Sequence, residues 1–349
     1  MKRVFVNGYG SIGNRIASFL RDDPEITLVG VGKHTPDERI NTIKSSGVDV
    51  YIPEKNNDDF AQYDIAGTIE SALDSCDLVI DASPGGCGHK NKKNLYEPRG
   101  IRAIYQGGES VRGPEAVSDV LFNSESNYDT VAGKRHVMQG SCNVTGMGRI
   151  LEPLRAAFGD RLSRFDVTLV RRWADIEQED KQLVDTIEMT ENPHHGEDAK
   201  AYLGADTPLY VRAVKVPTRQ MHLHILDVRF SGKMPEIPEV HAIYGNSPGV
   251  AVLWTAAGTR DVREFARTMG FHFTDTNMIH IHANMTVSTG DTIQMMYSDD
   301  QTGIVIPENH MLMQAMLFER EYKEARAHTE SVFGMAVKKQ KLQEHFAKS

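Results

Sequence analysis

The chain has 349 residues, more than one ordinary domain needs, so two domains are expected. With 40% hydrophobic and 25% charged residues it has the composition of a globular protein able to bury a sizeable core. Its 39 basic against 48 acidic residues, a net charge of −9, argue against nucleic acid or an anionic membrane as the main partner, while leaving room for a local basic pocket that holds a phosphate.

The first half alternates short apolar runs with helical patterns, as a parallel α/β sheet does. Arg3 to Asn7 reads as a strand, Ile12 to Arg21 as an amphipathic helix stopped by Asp22-Asp23-Pro24, and Thr27 to Val31 as the second strand. Between the first strand and the helix lies Gly8-Tyr9-Gly10-Ser11-Ile12-Gly13, a G-x-G-x-x-G pattern in the setting a dinucleotide requires. Gly8 permits the tight turn, Gly10 the approach of the pyrophosphate, and Gly13 close packing of helix on strand. The second strand ends in Gly32-Lys33-His34-Thr35, with a cation where an NAD site places a carboxylate. Lys33 therefore points to NADP, with NAD also possible.

Asp77 to Ala82 and Ile101 to Tyr105 are further strands, each followed by a Gly-rich turn, Ser83-Pro84-Gly85-Gly86 and Gln106-Gly107-Gly108. Turns at the carboxyl ends of such strands line the ligand crevice. Arg135 to Gln139 is another strand, and Met147 to Phe158 a helix. Beyond it Phe165 to Ala174, Leu209 to Val216 and Met221 to Phe230 are long strands with few crossover helices, the mark of a mixed or antiparallel sheet. Ser298 to Pro307 is expected to return to the first domain, followed by one helix from Glu308 to about Phe333. The fold class is thus α/β: an N-terminal Rossmann dinucleotide-binding domain (1–140, with the helical segment 303–349 packing back on it) and an α+β catalytic domain (141–302).

Three cysteines, Cys76, Cys87 and Cys142, lack metal-ligand spacing, so free thiols, no metal and a reducing, cytoplasmic setting are expected. No apolar signal core or membrane-length run is present. Cys142 stands between the strand ending at Gln139 and the following helix, where the helix dipole favours a thiolate. Asn143 and nearby backbone N–H groups suit an oxyanion. A thiol nucleophile and a dinucleotide turn in one chain point to oxidation of an aldehyde through a thioester. The base would come from His222 or His224, which share one face of a strand while Met221, Leu223 and Ile225 take the other. His194 and His195 lie in a loop suited to an anion. Of the paired arginines, Arg172 lies on the more polar strand face and suits a phosphate, whereas Arg171 would pair with a carboxylate such as Asp175.

These segments together resemble the archaeal-type (class II) phosphorylating glyceraldehyde-3-phosphate dehydrogenases over most of the chain. Besides the glycine turn they are Asp81-Ala82-Ser83-Pro84-Gly85-Gly86, Gln106-Gly107-Gly108-Glu109, Ser141-Cys142-Asn143-Val144-Thr145-Gly146 and Arg171-Arg172-Trp173-Ala174-Asp175. His194-His195-Gly196, Met221-His222-Leu223-His224 and Val305-Ile306-Pro307-Glu308-Asn309 complete the set. The resemblance implies Cys142 as the acyl-accepting nucleophile and His222 as the base. It implies cofactor contacts at Ser11, Ile12, Gly108, Arg172 and Gln301, and substrate contacts at Ser141, Asn143, His194 and His195. Arg172 accordingly stays open between phosphate and cofactor.

The resemblance further implies a homotetramer that uses NAD or NADP and converts a small phosphorylated aldehyde and inorganic phosphate to an acyl phosphate, a step of glycolysis and gluconeogenesis. The chain departs from the family in its acidic 177–185 segment, where Gly-Pro is usual, in Trp173 where Ala is usual, and in Asp300-Gln301-Thr302-Gly303. Two other readings are an acyl-phosphate reductase of the aspartate-semialdehyde or acetylglutamyl-phosphate kind and a Rossmann-based sensor that has lost catalysis.

Overall fold

In the computed structural model residues 57, 107, 176, 177, 179–181 and 349 lie outside the description, and all others are described. Gly107 of the second glycine turn and four residues of the acidic 177–185 segment (177 and 179–181) therefore lie outside the described residues. The chain forms two compact units, Met1–Ser141 with Glu308–Arg326, and Cys142–Pro307 with Ala327–Ser349.

The first unit is built on a parallel sheet. Its strands are β1 (Lys2–Asn7), β2 (Ile26–Gly32), β3 (Val50–Ile52), β4 (Gly67–Thr68), β5 (Leu78–Asp81), β6 (Arg102–Tyr105), β7 (Leu121–Phe122) and β8 (His136–Gln139). They lie in the order β4-β3-β2-β1-β5-β6-β8-β7. Chain order reverses at β1, between β2 and β5, the switch point at which such sheets open a ligand crevice. β5 is buried along its whole length, as its unbroken apolar run dictates. The Ser11–Asp22 helix buries Ile16, Ala17, Phe19 and Leu20 on one stripe.

Two glycines make the first turn. Gly8 has φ +113°, a backbone that side chains resist. At Gly13 a Cβ would lie 2.1 Å from the Gly8 carbonyl oxygen, so only glycine allows helix and turn to approach this closely.

The second unit is built on a mixed sheet. Its strands are β9 (Leu162–Arg172), β10 (Glu188–Thr190), β11 (Leu209–Val216), β12 (His222–Phe230), β13 (Val250–Leu253), β14 (Ile279–His282), β15 (Val287–Thr289) and β16 (Thr292–Asp299). The order is β10-β11-β9-β12-β16-β14-β13, with β15 paired to β16. β9 and β11 run parallel, while β12 is antiparallel to both β9 and β16. The α/β class and the contrast between a parallel and a mixed sheet match the sequence expectation.

The C-terminal region differs from expectation. The single helix expected over Glu308 to Phe333 is two, Val305–Phe318 and Tyr322–Phe333, and a third follows at Met335–His345. Glu319 (φ 53°) and Gly334 (φ 58°) take left-handed backbone at the two breaks. Ser298 to Pro307 is the end of β16 followed by a turn and the start of a helix. Nor does 303–349 go whole to the first unit. Leu342 and Phe346 are buried in a cluster with Met221, Leu253, Val262 and Phe265 of the second, so burial of their apolar side chains draws the chain end there.

A buried guanidinium fixes the turn after β16. Arg263 donates to Asp300 Oδ1 at 2.8 Å and to the Thr274 carbonyl at 2.9 Å, while the Thr276 N–H donates to Asp300 Oδ2 at 2.7 Å. Replacing Arg263 with Leu strands the Asp300 carboxylate in the interior. That substitution is expected to remove roughly 3–5 kcal/mol of stability, read as a lower midpoint in urea denaturation. An unchanged midpoint would show the pair to be dispensable.

Candidate active site

Cys142 is the first residue of the Cys142–Phe158 helix, which begins earlier than the apolar pattern alone predicted. The residue as a whole is partly exposed, while its sulfur is buried. Its Sγ lies 3.3 Å from Nε2 of His222, the first residue of β12. The Asn143 side-chain amide donates towards the same sulfur at 3.8 Å and approaches His195 Nε2 at 3.5 Å. Cys142, Asn143, His195 and His222 thus come together as the sequence suggested. His224 is removed from the sulfur, fully buried, with Nε2 3.0 Å from Asp299 Oδ2.

Strand register explains the assembly. β12 pairs His222 with Asp299 of β16 on one side, and Leu223 with Val170 of β9 on the other. The ladder with β9 stops there, and the next free N–H, that of Arg172, donates instead to His222 Nδ1 at 3.1 Å. The histidine face of β12 is also its core face, continuing through the buried Leu226, Val228 and Phe230. Met221, just before it, is buried with φ +58°, a strained backbone held by its place in the apolar cluster.

This geometry sets the tautomer of His222. Because Nδ1 accepts the Arg172 N–H, the single proton of the neutral ring belongs on Nε2, facing the sulfur. Burial, with Arg172 and His224 adding to it, holds the ring's pKa well below the ordinary value and so keeps it neutral. In this geometry His222 is oriented to donate its Nε2 proton towards the sulfur.

The thiol departs from expectation. Burial pushes its pKa up to about 12, aided by Asp299, and the guanidiniums of Arg172 and Arg171 pull against this without prevailing. Desolvation disfavours the charged sulfur and so favours the neutral thiol in the unliganded chain.

The arginines also exchange parts. Arg172, not Arg171, pairs with Asp175. Arg171 continues the buried Phe165, Val167 and Leu169 face of β9, a side on which sequence reasoning did not look for a ligand group. His194 Nδ1 donates to Asp198 Oδ2 at 2.7 Å and the ring stacks on His195, whose pKa burial lowers to about 3. Among the described residues several buried polar atoms lack partners: Ser141 Oγ, Asn143 Oδ1, Arg171 Nε, Arg172 Nε and His195 Nδ1. A polar ligand would satisfy them. Gln301 is anchored by its Nε2 to the Arg219 carbonyl, leaving Oε1 unpaired. Asp299 was missed from sequence, because its relation to His222 depends on a strand pairing that no local pattern reveals.

The first unit presents the dinucleotide turn. The Ser11–Asp22 helix has no side-chain cap and no acidic residue in its first turn, so its leading N–H groups remain available to an anion. A Cβ at Gly10 would meet nothing within 4 Å, which leaves the face of the turn open for a phosphate to approach. These features fit a dinucleotide. Lys33 is buried and bonded to Asp37 at 2.7 Å, so a carboxylate does stand near the end of β2, four residues on. Gly108 (φ +120°) follows β6, and Glu109 accepts the N–H groups of Gly86 and Gly88 at 2.8 and 2.9 Å, tying the two glycine turns together.

A Rossmann-like parallel sheet and a mixed sheet bearing a cysteine–histidine contact describe a two-unit oxidoreductase. The comparisons with known proteins identify it further. The chain is 34% identical over 334 residues to the glyceraldehyde-3-phosphate dehydrogenase of Methanothermus fervidus, covering 93% of this chain and 96% of that one. It is 33% identical over 325 residues to that of Sulfolobus acidocaldarius, covering 90% and 92%. To glyceraldehyde-3-phosphate dehydrogenase 1 of Methanosarcina barkeri it is 32% identical over 346 residues, covering 96% and 99%. No protein-family model matches the chain. The chain belongs to the archaeal-type glyceraldehyde-3-phosphate dehydrogenase family, a family of oxidoreductases.

The thiol's state is open to measurement. The rate of Cys142 alkylation by iodoacetamide in the unliganded protein is expected to keep rising with pH above about 9, because the folded thiol ionises only well above the free value. A plateau reached below about pH 7 would mean a resting thiolate.

Proposed function

We propose that this protein oxidises D-glyceraldehyde 3-phosphate, with inorganic phosphate, to 1,3-bisphosphoglycerate through a thioester on Cys142, using NADP or NAD. The observation that carries the reading is the 3.3 Å contact of Cys142 Sγ with His222 Nε2 at a helix N-terminus, in a chain of this family. The dinucleotide, when bound, supplies the hydride acceptor. Gly8, Gly10, Ser11, Ile12 and Gly13 would hold its pyrophosphate, Lys33 its ribose side, and Gly108, Arg172 and Gln301 are further cofactor contacts. Ser141, Asn143, His194 and His195 are assigned to the substrate, with Arg171 added on the strength of its unpaired, buried Nε.

The proton balance is simple. The sulfur attacks the aldehyde carbon, forming the C–S bond and moving the carbonyl pair onto oxygen, and the thiol proton passes to solvent. His222 Nε2–H and the Asn143 amide, both aimed at the sulfur, are placed to donate to that oxyanion. Hydride departure restores the carbonyl as a thioester. A hydrogen phosphate oxygen then attacks it, the C–S bond breaks with sulfur as leaving group, and the proton lost by the phosphate restores the thiol. One proton is released overall, the one lost by the thiol on acylation.

A homotetramer in a reducing cytoplasm completes the proposal, supported by the three free cysteines and by family membership. Among the described residues no helix is long and apolar enough to cross a membrane.

The test is the Cys142→Ser variant, assayed with glyceraldehyde 3-phosphate, phosphate and each dinucleotide. It is expected to lose at least about a thousandfold in kcat while binding the dinucleotide as before. Wild-type turnover in that variant contradicts the mechanism. A wild-type protein active on other semialdehydes but not on glyceraldehyde 3-phosphate contradicts the substrate.

A further inference from the structure

At the carboxyl ends of β1, β2 and β5 a chain of hydrogen bonds runs outward from a buried carboxylate to an exposed imidazole. Asp81 at the end of β5 is buried and collects the Ser83 N–H at 3.0 Å, the Ser83 hydroxyl and the Asn91 amide at 2.8 Å. The fully buried Tyr96 hydroxyl donates to Asp81 Oδ2 at 2.6 Å. Having spent its proton there, that hydroxyl accepts from Asn7 Nδ2 at 2.8 Å. The orientation of the Asn7 amide is thereby fixed, with Oδ1 facing the other way. His34 Nε2 lies 2.9 Å from this oxygen. An amide oxygen only accepts, so Nε2 carries a proton whether the ring is neutral or charged.

The consequence falls on the other ring nitrogen. In neutral His34, Nδ1 is a lone pair; in cationic His34 it is an N–H donor. Among the described residues it has no partner, and the side chain is exposed. His34 stands two residues beyond β2, and its partner Asn7 directly precedes Gly8 of the dinucleotide turn, at the place where the adenosine ribose of a dinucleotide is read. Asn7 Oδ1 also occupies the space over Gly32, where a Cβ would lie 2.6 Å from it, so the relay is packed against the end of β2. A lone pair suits a ribose 2′-hydroxyl, which donates; a cationic N–H suits a 2′-phosphate, which only accepts. Lys33, the obvious cation at this position, already serves Asp37.

We propose that His34, with its tautomer fixed by the Asp81–Tyr96–Asn7 relay, selects between the two dinucleotides according to its charge, accepting the ribose of NAD when neutral and binding the 2′-phosphate of NADP when protonated. This rests on the dinucleotide-binding reading above. The charged groups facing His34 are Asp81 at the end of β5, Glu70 in the Ile69–Leu73 helix, Lys55 in the turn at Glu54–Asn56, and its neighbour Lys33. Burial is the largest influence on the ring and lowers its pKa, with Lys55 and Lys33 acting the same way and Asp81 and Glu70 opposing. Burial therefore favours the neutral ring in the unliganded chain, and acidification favours the cation.

The experiment is calorimetric titration of the full chain with NADP and with NAD at about pH 8 and about pH 6, for wild type and His34→Gln. In the wild type the ratio of NADP to NAD affinity is expected to rise on acidification, by at most about tenfold per pH unit, the limit for one linked proton. The 2′-phosphate's own titration, with a pKa near about 6, works in the opposite direction and is common to both proteins. In His34→Gln, which retains an amide for Asn7 and for a hydroxyl but cannot become cationic, the rise is expected to vanish while NAD still binds. Equal pH slopes in the two proteins overturn the selection by His34 and leave dinucleotide binding standing. Failure of wild type to bind either dinucleotide at either pH overturns both.

Discussion

The proposed chemistry depends on one contact, the 3.3 Å approach of Cys142 Sγ to His222 Nε2, between residues 80 apart in sequence. Neither partner is placed by its neighbours alone. The cysteine is set by the start of a long helix, and the histidine by where β12 begins against β9 and β16. A shift of one residue in that register would turn the imidazole to the opposite face of the sheet and take it from the sulfur. The Arg172 backbone N–H does more than fill a gap at the end of the ladder. By occupying Nδ1 it decides which nitrogen carries the proton, and so whether the ring gives or takes a hydrogen bond at the sulfur.

Charge in the site is balanced close to neutrality of its parts. A buried sulfur resists ionisation, and two guanidiniums, an amide and an imidazole N–H are arrayed to favour it. Burial is the largest of these influences in the unliganded chain. In the proposed reaction an aldehyde carbon bonded to sulfur removes this cost, since no free thiolate persists. In that reaction the His222 N–H and the Asn143 amide then face an oxyanion. Neutral His222 and neutral His195, both held uncharged by burial, leave Arg171 and Arg172 as the cationic side chains that act directly on the thiol.

Much of this was legible in the sequence because it rests on local patterns. The dinucleotide turn needs glycine at Gly8 and Gly13 for backbone and contact reasons that a strand–turn–helix pattern announces. The strands from β1 to β12 that carry long apolar runs were found to within a few residues, and Cys142 stood out as a thiol at a helix start. What escaped depends on pairing at a distance. Asp299 meets His224 only through the β12–β16 register, and Asp81 reaches His34 only through Tyr96 and Asn7. The exchange of roles between Arg171 and Arg172 has the same origin, since alternation along β9 separates the two faces without saying which one the site uses. The split of the C-terminal segment was hidden at Glu319, a residue with no turn signature, but Gly334 marked the second break.

The most direct test of the account is to mix the protein with glyceraldehyde 3-phosphate and NADP in the absence of phosphate, quench in acid and map adducts by peptide mass spectrometry. The account predicts a phosphoglyceroyl thioester on the peptide containing Cys142, formed together with one equivalent of reduced dinucleotide and discharged when phosphate is added. Reduced dinucleotide formed with Cys142 unmodified, or an adduct confined to Cys76 or Cys87, would contradict it.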